Sequence, residues 1–335
     1  MTRMRIVLGA LALVVAGFAV LRILLGEPFV PLDYAARILI GEQLPGFSFI
    51  VMERRLPTAI VAVLAGVAFG LSGTVFQTML RNPLASPDVI GVSLGSSAGA
   101  VLAMAFFGAD GGAIFWASLL GGVVSAALVL LVAGGHRGPA AGARGSVDGR
   151  FVLVGVGVAA ALSAVISYVL TRMSTRSAAD AMHWRIGSLS SSTWDRIAIL
   201  AAALAVLVPL LAFLTTRLRI LQLGDDTATG LGLHVPRTRI ALIGVAVALS
   251  AVTVAVTGPL AFVAFLAGPL AHMIAGRPTF VGSALTGAII VLAADVAGSI
   301  LVPGITLPAG VVTGAIGAPF LLWLLTRSSR TAPGR

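Results

Sequence analysis

The sequence predicts an all-α polytopic membrane protein of about ten transmembrane helices, forming one domain over residues 1–335. Three observations predict it. Of 335 residues, 58% are hydrophobic and 10% charged, against roughly 25% charged in soluble domains, too few to cover a water-facing surface. Uninterrupted apolar stretches recur near the roughly 20 residues that a helix needs to cross a bilayer. Those stretches do not alternate polar with apolar, which removes the closed β-barrel, the other architecture that satisfies its backbone in lipid.

Taken in order, the first span lies near 5–25, behind Arg3 and Arg5. Its apolar stretch is long for a signal core and no small-x-small site comes after it, so it reads as an uncleaved helix. The second span lies near 56–79. Pro83 and Pro87 then cannot continue a helix and bias Asn82 and Ser86 toward extended backbone, so 81–91 reads as a cytoplasmic turn with Asp88 placed to cap the next helix. In the third span, 91–108, Gly91, Gly95 and Gly99 stand four apart. That is a small-residue face which lets another backbone approach. Spans near 113–133 and 151–170 complete the first half.

An outer segment, 171–193, separates it from spans near 195–215, 239–257, 259–275, 280–301 and 309–326. Five spans on each side is an odd number, so the halves run in opposite directions, the arrangement of inverted-repeat transporters. Between the sixth and seventh spans, the polar loop 216–238 contains a helix-capable piece from Asp225 to Leu231. Asp225 and Asp226 suit a helix N-terminus, and Gly232 suits its end. By these features alone the loop is either a solvated connector or a docking element.

Arginine sets the orientation. Loops on the side of the termini hold fourteen of the 22 basic residues, from Arg3 and Arg81 to Arg217, Arg239 and Arg335; the other side holds eight, among them Arg22, Arg37, Arg54, Arg55, Arg172 and Arg196. The positive-inside rule then places both termini in the cytoplasm. The pI near 11.7 reflects this scatter rather than one basic stripe, so no nucleic-acid partner is expected.

Several chemistries are excluded. The chain has no cysteine, hence no disulfide framework or thiolate metal site. All of its basic residues are arginine, so the glycines and serines of 91–96 cannot form a Walker-type phosphate loop, which needs a lysine. His136, His183, His234 and His272 lie in different segments with no ligand spacing. No cofactor is expected and no catalytic group is identified. Gln77 stands inside a span, and Asp295 is the one clear acid inside one. An acid there costs roughly 2.5–3.5 kcal/mol on insertion scales and must face protein or water. It serves either as a proton or cation relay or as a buried structural acceptor.

A further pattern runs through nearly the whole chain. Arg55-Leu56-Pro57, Leu71-Ser72-Gly73 with Gln77, Arg81-Asn82-Pro83-Leu84-Ala85 with Pro87, and Gly91-Val92-Ser93 with Gly95 succeed one another. Trp184 with Gly187, Leu223-Gly224-Asp225-Asp226, Gly258-Pro259, Ala294-Asp295 and Leu307-Pro308-x-Gly310 come after them in order. The sequence resembles the permease subunit of type II ABC importers, the iron–siderophore, haem and cobalamin family.

The resemblance implies an inverted-repeat fold and a dimer of permeases, with the fifth span and its symmetry mate lining the passage. The site would be the cytoplasmic (inner) membrane of a bacterium. It implies two cytoplasmic ATPase subunits docked on a coupling helix in 216–238, carried by Leu223, Gly224, Asp225, Asp226, Ala228, Leu231 and Gly232. It implies an inner gate at Asn82, Leu84, Asp148 and Gly149, and an extracytoplasmic substrate-binding protein docked on Arg55, with Arg54 beside it. The cargo it implies is a ferric siderophore first, then haem or cobalamin. Two departures stand out. Thr58 replaces a frequent second arginine after the Arg-Leu-Pro motif, and Met273 replaces an arginine at the end of the eighth span. A zinc or manganese ABC permease and an ion-coupled secondary transporter using Asp295 are the alternatives.

Overall fold

The structure, a computed structural model, describes residues 2–134, 147–302 and 304–330. The first half contains α1 (Thr2–Leu24), α2 (Leu32–Leu39), α3 (Leu56–Met79), α4 (Val92–Phe107), α5 (Gly111–Gly134) and α6 (Val147–Arg172). On the outer connection stands α7 (Thr175–Ile186). The second half contains α8 (Trp194–Leu221), α9 (Asp225–Gly230), α10 (Val235–Thr257), α11 (Val263–Ala275), α12 (Phe280–Ile300) and α13 (Ala309–Arg330). Among the described residues, seven helices are long and apolar enough to cross a membrane: α1, α3, α5, α6, α8, α10 and α12. The remaining apolar helices α4, α11 and α13 are shorter, and the ten together fall where the ten spans are expected.

Burial shows which helices form the centre. The most apolar windows of α3 and α10 are 78% and 72% buried, against 11% for α1 and 17% for α6. Around that pair the packing repeats. α3 lies on α11 and α12 of the second half, and α10 lies on α4 and α5 of the first. Each half's second span therefore inserts against the third and fourth spans of the other half, as an inverted repeat requires. The sixth span breaks the symmetry: α8 packs on α10 as α1 packs on α3, but it also leans on α3.

Small residues make these contacts possible. A Cβ on Gly66 or Gly70 of α3 would overlap backbone atoms of Gly287 and Ser283 on α12, and one on Gly99 of α4 would overlap the Ala117 carbonyl on α5. Lipid offers little drive for helix association, so this close approach supplies the packing that holds the bundle. Gly95 and Gly99 thus form the expected small face. Gly91 does something else: it is the N-cap of α4 with φ +75°, a left-handed conformation glycine adopts at no steric cost.

The positions of α4 and α11 differ from the expectation in one respect. Gly91 sits beside Ser125 and Ala159, partway along α5 and α6, and Ser125 Oγ donates to its carbonyl at 3.0 Å. The N-cap of α11 is Phe262, also left-handed at φ +63°, and it packs against Gly317 partway along α13. At 1.5 Å per residue, helices of 16 and 13 residues reach about 24 and 20 Å. Both therefore start inside the bundle: Ala85, Ser86, Pro87 and Ile90 of the turn are buried toward its middle, while Arg81, Asn82 and Pro83 stay exposed. Hydropathy registers apolar length and not depth, so it cannot show this. Asp88 does not cap the backbone of α4; its carboxylate accepts a hydrogen bond from the Ser93 hydroxyl.

Candidate coupling surface, inner turn and intramembrane polar pairs

The candidate coupling segment starts where α8 ends. Gly224 has φ +106° and is the N-cap of α9, without a side-chain cap. Asp225 is the first helical residue, and its Oδ1 accepts from Arg239 Nη2 of α10 at 2.9 Å. It is thus held by a cation from outside the helix, an addition to the N-terminal role expected of it. Ala228 is fully buried where α9 meets α8 and α10. Gly232, φ +81°, ends the segment, and the Leu233 N–H returns to the Ala228 carbonyl at 3.0 Å. The seven expected residues therefore divide. Ala228 and the glycines shape the element, Asp225 is tied to α10, and Leu223, Asp226 and Leu231 face outward, the two leucines being 61% and 62% exposed.

At the inner turn, the Asn82 N–H donates to the Gln77 carbonyl at 3.1 Å, and Asn82 Oδ1 accepts from the Leu84 N–H at 2.9 Å. Asn82 is exposed and Leu84 partly buried. An asparagine bonding its own backbone two residues on is a self-contained turn. Asp148 and Gly149 fall in the first turn of α6; the surroundings of both lie outside what the structure describes.

Gln77 has a specific task. Pro269 stands inside α11 and has no N–H to give the carbonyl four residues earlier, that of Phe265. Gln77 Nε2 donates to that carbonyl at 2.9 Å. Gly268 makes room, since a Cβ there would overlap the Gln77 amide oxygen. The amide repairs a proline break across two helices.

Asp295 of α12 forms an ion pair with Arg22 in the last turn of α1. Their side chains are 11% and 16% exposed. Sequence reasoning places Arg22 with the outer loops and gives Asp295 no partner; the signal it lacks is that both stand a few residues from the same end of their helices.

Arg54 and Arg55 separate. Arg55 is 5% exposed, and its guanidinium donates to the carbonyls of Ile23, Leu24 and Pro28 at 2.9, 3.0 and 2.5 Å. It gathers carbonyls from the last turn of α1 and the loop after it, sharing that of Leu24 with the Val30 N–H. Arg54, one residue earlier, is exposed. Beyond it, Arg37 donates to Glu42, which holds that exposed carboxyl below its ordinary range.

A family model described as the FecCD transport family matches residues 11–327. The chain belongs to this family. It is 38% identical to the ferric enterobactin transport system permease protein FepG of Escherichia coli (strain K12), over 87% of this chain and 87% of that one. It is 34% identical to the Fe(3+)-citrate import system permease protein YfmE of Bacillus subtilis (strain 168), over 96% of this chain and 94% of the relative. A solved inward-facing metal-chelate type ABC transporter matches with a TM-score of 0.81 at 25% identity, covering 96% of this chain and 98% of that one. A FecCD-family chain is a multi-pass permease subunit of a bacterial ABC importer and is not itself catalytic. ATPase and substrate-binding partners belong to such systems.

Proposed function

We propose that this FecCD-family permease carries a ferric siderophore or similar iron chelate inward as a dimer, with both termini in the cytoplasm. Two ATPases dock on the outward face of α9, and a binding protein docks on the opposite side of the membrane. The observation that carries the reading is α9 itself. A six-residue helix is braced from behind by Ala228 and Arg239 and presents Leu223, Asp226 and Leu231 to solvent. A solvated connector has no need of two exposed leucines flanking an acid on a braced helix.

Asn82 and Leu84, with Asp148 and Gly149, form the inner gate. The passage runs along α6 and α13, whose exposed side chains include Val152 and Val156 on α6 and Ile316 on α13. Apolar walls with few polar groups suit a bulky chelate that is enclosed rather than coordinated. The docking role expected of the arginine pair rests on Arg54, because Arg55 is committed to carbonyls of its own chain. Asp295, occupied by Arg22, supports a structural acceptor and not an ion relay.

The cargo is tested by uptake of ferric enterobactin, ferric citrate, haemin, cobalamin and free zinc or manganese into proteoliposomes holding the permease, its ATPase and its binding protein. Accumulation of a ferric chelate, with competition from the others weak, is expected. Accumulation of a free divalent metal in preference to any chelate would sink the siderophore reading.

A further inference from the structure

Arg81 ties the inner turn to the helix that leads into α9. It stands two residues after α3 ends at Met79, in the left-handed region at φ +49°. Among the described residues, Arg81 and Phe262 are the non-glycine residues with positive φ, a conformation that L side chains adopt at a cost. From there Arg81 Nη2 donates to the Gln222 carbonyl at 2.7 Å and to the Leu221 carbonyl at 3.3 Å. These belong to the C-terminal end of α8, where carbonyls lack helical donors and the dipole favours a cation.

The two sides of this bond are the two parts of the proposed machine. Asn82 and Leu84, which form the inner turn, come directly after Arg81. Gln222 lies two residues before Gly224, where α9 is capped. Along the chain Arg81 and Gln222 are 141 residues apart; through the guanidinium they are neighbours. The departure of α8 from the repeat symmetry, leaning on α3, is what brings its end within reach.

α8 is anchored at its far end and broken near its middle, while Leu211, Leu214, Leu218 and Leu221 of the half nearer α9 are buried and move only with the helices they pack on. At its outer end Arg196 Nη1 donates to the Val256 carbonyl of α10 at 2.9 Å, so that end is held. Midway, Pro209 interrupts the hydrogen-bond ladder, and prolines are where helices bend. A displacement applied at α9 is thus delivered to the inner half of α8 and reaches the turn through Arg81. We infer that Arg81 is a positioning residue that transmits movement of the ATPase-docking helix to the inner gate. This rests on the docking of an ATPase on α9.

The test uses the complete complex in proteoliposomes, with ferric enterobactin or ferric citrate, whichever the wild type carries. Arg81→Gly keeps the left-handed backbone free of strain and removes the guanidinium; Arg81→Lys keeps a cation. In Arg81→Gly the ATPase is expected to co-purify and hydrolyse ATP within about twofold of wild type, while uptake per ATP hydrolysed falls about tenfold or more, a typical coupling loss. Arg81→Lys is expected to recover much of it. An unchanged uptake-to-hydrolysis ratio in Arg81→Gly, or loss of the ATPase together with uptake, would overturn the inference alone. A wild type that transports without any ATPase would overturn the docking reading and this one with it.

Discussion

Replacing Arg22 by Leu is expected to destabilise the folded permease by about 3–5 kcal/mol, and adding Asp295→Leu is expected to return most of that loss. The asymmetry comes from the cost of a buried charge. Removing one partner leaves the other desolvated and unpaired, whereas replacing both with apolar groups removes the penalty along with the attraction. The pair joins α1, of which little is buried, to α12, so the single variants should also loosen α1 from the bundle. Unfolding titrations in lipid nanodiscs for the four members of the cycle measure this directly. Singles as stable as wild type would show that the pair is not a structural clamp. Uptake per folded molecule separates the roles further. The double variant is expected to transport within about twofold of wild type, because replacing both partners of a buried pair with apolar residues is often neutral or stabilising; lost transport in a stable double variant would return Asp295 to the mechanism.

The second large effect is expected at α9. The double variant Asp226→Arg/Leu231→Asp should lose co-purification of the ATPase and lower uptake about thirtyfold or more. An interface anchor of roughly 2 kcal/mol has that effect. Folded yield should be unchanged, because both side chains are exposed and surface substitutions usually shift stability by no more than about 0.5 kcal/mol. These two residues are better probes than Asp225 or Ala228. Asp225→Arg would also face Arg239, and any enlargement of Ala228 would push α9 off α8 and α10. Intact assembly and normal uptake in the double variant would remove α9 from the coupling surface.

Much of the architecture is legible in the residue order, for physical reasons that can be named. Each span is a local property, an apolar length bounded by arginine, glycine or proline, so ten centres can be placed without knowing any contact. The short helix after Leu223 is legible in the same way, from two aspartates at one end and Gly232 at the other. Depth and partnership stay hidden. Arg22 and Asp295 are 273 residues apart, and nothing local in either helix names the other. The resemblance makes Arg55 an outer docking charge; here it turns inward to three carbonyls. Gln77 is visible as a polar residue in a span, but its purpose depends on Pro269, in a helix from the other half of the chain. Arg81 is visible within a motif, while its bond to the end of α8 depends on α8 leaning on α3, a contact with no counterpart in the other half.

In the proposed reading, transport through this chain is driven from α9 by ATP hydrolysed on another subunit. The most direct measurement compares ferric chelate uptake into sealed proteoliposomes that contain the permease and binding protein, with and without the ATPase and ATP, and with or without an imposed proton gradient. Uptake should require the ATPase and ATP and should ignore the gradient. Uptake driven by the gradient with no ATPase present would contradict ATP-powered transport.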